Sequence, residues 1–156
     1  MKRVSAILFP VSIFTSACLL FLVQPILARF ILPWFGGSPA VWTTCMLFFQ
    51  VLLLLGYSCS HFVVMKLPLK SQAIFLLAFA LLTAMTLNIR PAESWSESAA
   101  TAPVTSILGL LTFHIGLPYV LLAMISPLIQ AWFAITNSET SPFRLYALSN
   151  TGSILA

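Results

Sequence analysis

The chain has 156 residues, 60% of them hydrophobic and only 6% charged, with a formal net charge of +4. A soluble domain carries about 25% charged residues because its surface must face water. Seven basic and three acidic side chains cannot cover a globule of this size, so a water-soluble domain is excluded and lipid becomes the expected solvent. Lys2, Arg3, Lys66 and Lys70 flank apolar runs and form no basic stripe interleaved with aromatics. Nucleic acid is therefore not an expected partner.

A bilayer core ~30 Å thick needs about 20 apolar residues at 1.5 Å each. Four runs meet that length, at about 5–30, 39–65, 72–89 and 104–125. The first contains Thr15-Ser16-Ala17-Cys18, faintly like a lipoprotein processing site. Phe14 precedes it and LLFLV follows, whereas a cleaved signal hands over to a polar mature chain. The run therefore reads as a retained helix. Ser5, Ser12 and Ser16 share one of its faces and suit close packing.

Between the first two runs lies PWFGGSP. Glycines before a helix N-terminus can expose N–H groups to an anion, but G-x-G-x-x-G spacing and a preceding strand are missing. The physical reading is a tight turn: Gly36 and Gly37 supply positive φ, Ser38 caps, and Pro39 opens the second helix. Arg29, near the end of the first run, can snorkel to the interface. With Gln24 it is also a candidate for holding an anionic group.

The second run carries a polar stripe. Thr43, Gln50, Tyr57 and His61 fall within about 40° of one another at 100° per residue. Inter-helix hydrogen bonding is the first expectation for such a stripe; the lining of a path or pocket is the alternative.

After the third run comes the polar RPAESWSESAATAP, and then apolar character from Val104 to Ile135. One helix over that range is about 48 Å long, too long for a span without strong tilt. Ser126-Pro127 offers a break, so the expectation is a span to about 125 and a short interfacial helix over 127–135. Pro118 is expected to kink the span and free the carbonyl of His114. A fifth helix begins at Pro142 and stops at Ala156 while still apolar, which reads as a fragment or a truncated reading frame. Ser149 with Ser153, and Gly152 with Ala156, are small-residue pairs suited to tight packing. The fold class expected is all-α: a polytopic transmembrane helix bundle of four full spans plus the start of a fifth.

With the N-terminus inside, the inner side holds Lys2, Arg3, Lys66, Lys70 and Arg144, and the outer side only Arg29 and Arg90. The positive-inside rule favours that orientation. Trp34, Trp95 and Trp132 fall near the interfaces, as an aromatic belt places them.

Chemistry is sparsely provided. The chain has no aspartate, and its three glutamates sit in loops, so an intramembrane carboxylate pair is excluded. His61 and His114 lie on different helices with no cysteine cluster beside them, and a metal site needs three or four convergent ligands. Cys18, Cys45 and Cys59 read as small buried hydrophobes. Neither a nucleophile elbow nor a Walker-type loop is present. No catalytic residue, cofactor or metal is expected within the chain.

Three segments resemble a known family: QPILARFILPWFGGSPAVWTTCMLFFQVLLLLGYSCSH, ISPLIQAWFA and FRLYALSNTGSILA. In order and spacing they resemble the N-terminal membrane region of bacterial membrane-bound spermidine-synthase-like proteins. There, helices sometimes described as major-facilitator-like precede a soluble Rossmann-type domain. The resemblance implies an anchoring or regulatory membrane module in the bacterial inner membrane. Its N-terminus would be cytoplasmic, and its partners would be the lipid bilayer, further helices and the soluble domain. The Gly-rich turn and acidic residues of a synthase-like domain are not in this sequence. Part of a polyamine- or amino-acid-like solute transporter is the alternative, a free-standing small membrane protein is a third reading, and a second copy of the chain is a further candidate partner.

Overall fold

In the computed structural model, residues 2–86, 95, 102–136 and 143–156 are described, with side chains from residue 7 onward. Five helices account for almost all of them: α1 (Lys2–Phe35), α2 (Pro39–Lys66), α3 (Leu69–Thr86), α4 (Pro103–Thr136) and α5 (Phe143–Leu155). The first four are long and apolar enough to cross a membrane. The described architecture is all-α.

α1 is longer than the run that predicts it and stays helical through Pro10, Pro25 and Pro33. Interior prolines are tolerated in apolar helices because neighbouring helices and local adjustments take up the freed backbone groups. The helix stops where the sequence says it must. Gly36 adopts φ 75°, a left-handed conformation that costs a residue with a Cβ about 1–2 kcal/mol. Its N–H closes the last turn on the Leu32 carbonyl at 2.9 Å. Ser38 is extended, and its Oγ accepts from the Val41 N–H at 3.4 Å while Pro39 opens α2.

α2 buries Val41, Thr44, Phe48, Gly56, Ser60 and Val63, a stripe spaced by threes, fours and an eight down one face. That stripe packs on α4. Gly56 marks the nearest approach, since a Cβ there would stand 2.5 Å from the Ala123 Cβ and 3.0 Å from the Val120 carbonyl oxygen. Leu67 ends α2, its N–H bonded to the Val63 carbonyl, and α3 follows after two residues. α3 turns most of its surface outward and buries only Gln72 and Thr83. Its hold on the bundle is concentrated at Gln72, which donates to the Leu67 carbonyl at 2.8 Å and accepts from Trp132 Nε1 of α4 at 2.6 Å.

α4 is the axis of the bundle and the most buried of the four spans. α1, α2 and α3 all lean on it, whereas α1 and α2 barely meet each other. The break expected at Ser126-Pro127 is absent: α-helix continues from Leu117 to Thr136 with Pro127 inside it, so there is no separate interfacial helix over 127–135. Two observations explain the correction. Leu128 and Ile129, just past the proline, are buried against α1, α2, α3 and α5, and an interfacial helix forfeits that packing. Ser126 also serves elsewhere, its Oγ lying 3.4 Å from Ser149 Oγ of α5 and accepting from Gln130 Nε2 at 3.1 Å.

The strain expected from Pro118 is met by a local widening rather than a break. Thr112–Gly116, the turn before the proline, is π-helical. A wider turn relieves the crowding between a proline ring and the carbonyl four residues back. Threonine hydroxyls along the bundle, such as those of Thr44, Thr83 and Thr112, bond the carbonyl four residues before them and so bring no unsatisfied group into the apolar surroundings. α5 packs on α1, and Gly152 is its contact point: a Cβ there would stand 2.8 Å from the Phe14 carbonyl oxygen. Cys18 Sγ donates to the Gly152 carbonyl at 3.2 Å.

Candidate functional site

Because α1 and α2 both rest on α4 but not on one another, a seam runs between them with α4 as its floor. Three cavities follow it. The first, about 400 Å³, is bordered by Arg29, Pro25, Leu32 and Trp42. The second, about 250 Å³, is bordered by Gln24, Gln50, Tyr119 and Phe21. Gln24, Met46 and Phe49 border both and join them. The third, about 150 Å³, holds Ser16, Tyr57, Ser126, Ser149 and Asn150, and meets the second at Phe21 and Leu53.

Tyr119 organises the seam. The side chain is 1% exposed, and its ring lies 5.0 Å from that of Phe49, tilted by 45°. Gln24 Nε2 donates to its hydroxyl at 3.2 Å, tying α1 to α4. Among the described residues this is the only hydrogen bond of either side chain, so the hydroxyl proton and the Gln24 carbonyl oxygen have no further partner there. Gln50, on the opposite wall, makes none.

The sequence candidates divide accordingly. Gln24, Arg29, Gln50 and Tyr57 are brought to the seam. Thr43 bonds its own helix at Pro39 O, 2.8 Å away, and His61 lies on the outer surface, edge-on to Phe62. The inter-helix bonding expected of the Thr43, Gln50, Tyr57 and His61 stripe is not found among the described residues, where all four side chains are exposed. The reason is steric: the face with Gly56 and Ser60 lets α2 approach α4 more closely, so the polar face is turned away from that contact. Among the described residues, inter-helix bonds between two side chains come instead from Gln24 with Tyr119, Trp132 with Gln72, and Ser126 with Ser149. His114 is buried in the π turn, edge-on to Trp95 and Phe113. Gly36, Gly37, Ser38 and Pro39 form the capped turn and line none of the three seam cavities.

Tyr119 and Gln72 were not legible as partners. Tyr119 stands alone in an apolar run, and Gln72 looks like a boundary residue. The only available signal was a polar side chain inside a membrane-length helix, which must find a partner. Among the described residues no group of three or more His, Cys, Asp or Glu could hold a metal ion.

The fold defines the class: an α-helical membrane protein with, among the described residues, four membrane-length helices whose apolar outer faces suit contact with a lipid bilayer. No family model, curated protein or solved structure matches the chain.

Proposed function

We propose that this chain is the integral membrane module of a spermidine-synthase-like fusion protein, anchoring or regulating a soluble domain, with no catalysis inside these residues. The carrying observation is the stretch from Gln24 to Trp42, read with Ile125–Ala134 and Phe143–Ala156. Support comes from how these segments pack: Gln24 reaches α4, and Ser126 of the second segment meets Ser149 of the third. The second and third stretches thus pack together, and the first bonds α4 six residues before the second. The lysine and arginine bias puts the N-terminus in the cytoplasm, and the module belongs in the bacterial inner membrane. The test is to read the gene past the codon for Ala156 and assay the whole protein in membranes for aminopropyl transfer. A Gly-rich α/β domain with paired acids and turnover supports the proposal. Further apolar spans alone, without turnover, sink it.

The seam favours a second reading, part of a small-solute transporter. A path beside a central span, mostly apolar with a few polar side chains near mid-membrane depth, suits the midplane sites of transporters. Uptake of labelled polyamines and amino acids into liposomes carrying the whole protein tests this. Uptake lost in Gln50→Leu supports it, and no uptake of either class removes it.

A further inference from the structure

Gln24, Gln50 and Tyr119 come from three different helices, yet they stand at nearly one depth. Tyr119 is at the middle of Pro103–Thr136. Gln50 and Gln24 lie within about 8 Å of the middles of α2 and α1 at 1.5 Å per residue. The three therefore form a polar cluster near the midplane of the apolar layer, bordering one cavity of about 250 Å³. That depth is where small-solute sites are built in membrane proteins.

The cluster is incompletely satisfied. Gln24 donates one bond to Tyr119, which leaves the Gln24 carbonyl oxygen, the Tyr119 proton and the whole Gln50 amide without partners among the described residues. A polar group held in hydrocarbon without a hydrogen bond costs several kcal/mol. A group that both donates and accepts would satisfy them, and a lipid tail does neither.

We propose that this cavity is a binding site for a small uncharged solute bearing a donor–acceptor group, such as a carboxamide, next to an apolar or aromatic body. Charge decides the class. Among the described residues no acidic or basic side chain borders the cavity, and burying an unpaired ion costs far more than burying an amide. A polyamine cation finds no carboxylate among the described lining residues, and Arg29 borders the adjoining cavity toward the Gly36 end. The ligand amide fits between Gln24 and Gln50, donating to one carbonyl oxygen and accepting from the other amide or from Tyr119. Phe21, Met46 and Phe49 face its apolar part. The volume lies below the ~300–1,000 Å³ usual for drug-sized ligands, which points to a small molecule. The inference holds whether or not the chain anchors a synthase-like domain, and it disfavours a polyamine as the solute of the transporter reading.

The experiment uses three probes of matched shape, benzamide, benzoate and benzylammonium, titrated by calorimetry against the protein in lipid nanodiscs. Benzamide is expected to bind at least about tenfold more tightly than either ion. Gln50→Leu, on the surface wall of the cavity, and Tyr119→Phe, which keeps the ring against Phe49, are each expected to weaken benzamide by about tenfold, the order of one lost hydrogen bond. Circular dichroism and elution volume report whether each variant is folded. Three results overturn the proposal: equal binding of all three probes, preference for benzylammonium, or benzamide binding unchanged in a folded Gln50→Leu protein. Absence of benzamide binding to the wild-type protein also overturns it and leaves the gene-level test of the fusion untouched.

Discussion

Replacing Gly56 by alanine should destabilise the bundle more than any other single added methyl on α2. The new Cβ would stand 2.5 Å from the Ala123 Cβ and 3.0 Å from the Val120 carbonyl oxygen. Carbon atoms rest about 3.5–4.0 Å apart, so α2 must retreat by roughly 1 Å. Neither obstacle can turn aside, because an alanine has no rotamer to change and the oxygen belongs to the backbone of α4. Overpacking of a tight core costs about 1–3 kcal/mol, and two rigid obstacles place Gly56→Ala in the upper half of that range. The assay is reversible denaturant unfolding in mixed micelles, followed by tryptophan fluorescence. Adding Ala123→Gly removes the nearer obstacle and leaves the one at 3.0 Å, so the double variant should recover part of the loss. Gly116→Ala is the control, since the nearest side-chain atom there, Thr112 Cγ2, is 3.8 Å away. It should be neutral or mildly stabilising, because alanine is favoured over glycine in a helix by about 1 kcal/mol. Equal losses at Gly56 and Gly116, or no recovery with Ala123→Gly, would refute the account of how α2 meets α4.

Gln72→Leu should cost about 1–3 kcal/mol, because the Trp132 Nε1–H loses its acceptor. Adding Trp132→Phe should restore most of that stability in the same unfolding assay. Gly152→Ala pushes a Cβ to 2.8 Å from the Phe14 carbonyl oxygen and should loosen α5 from α1; faster alkylation of Cys18, whose Sγ bonds the Gly152 carbonyl, reads this out. Ser38→Ala should cost about 1 kcal/mol through loss of the cap on the Val41 N–H. Gly36→Ala should cost about 1–2 kcal/mol through its left-handed φ, although no atom lies within 4 Å of the added Cβ.

The corner at Gly36–Pro39 was legible because its conformation is chosen by local chemistry: a positive φ, a side-chain cap and a proline at the first helical turn. The four membrane-length helices were legible for the same kind of reason, since apolar length is counted along the chain. The continuity of α4 was not. Ser126-Pro127 has the local chemistry of a helix start, and only the burial of Leu128 and Ile129 by four other helices overrides it. The polar stripe of α2 failed in a related way. Its angular alignment was correct, but periodicity cannot say which face of an apolar helix meets a neighbour when both faces are apolar enough. Gly56 and Ser60 settled that by allowing a closer approach on the other side.

That choice of face also explains why a seam exists. Only Gly36, Gly37 and Ser38 join α1 to α2, so the two helices are tethered side by side and could close against each other. Tyr119 prevents closure. Its ring is held against Phe49 of α2 while its hydroxyl takes the Gln24 amide of α1, so one α4 side chain contacts both walls. Apolar spans have little hydrophobic reason to close a gap that lipid or a ligand can fill, since lipid tails are as apolar as leucine. A bulky wedge with one polar tip is therefore enough to hold the walls apart. The same turn of α2 that gives Gly56 to α4 presents Gln50 and Tyr57 to the seam. Tight packing on one side of α2 and an open seam carrying Gln50 and Tyr57 on the other thus follow from a single rotational setting of that helix.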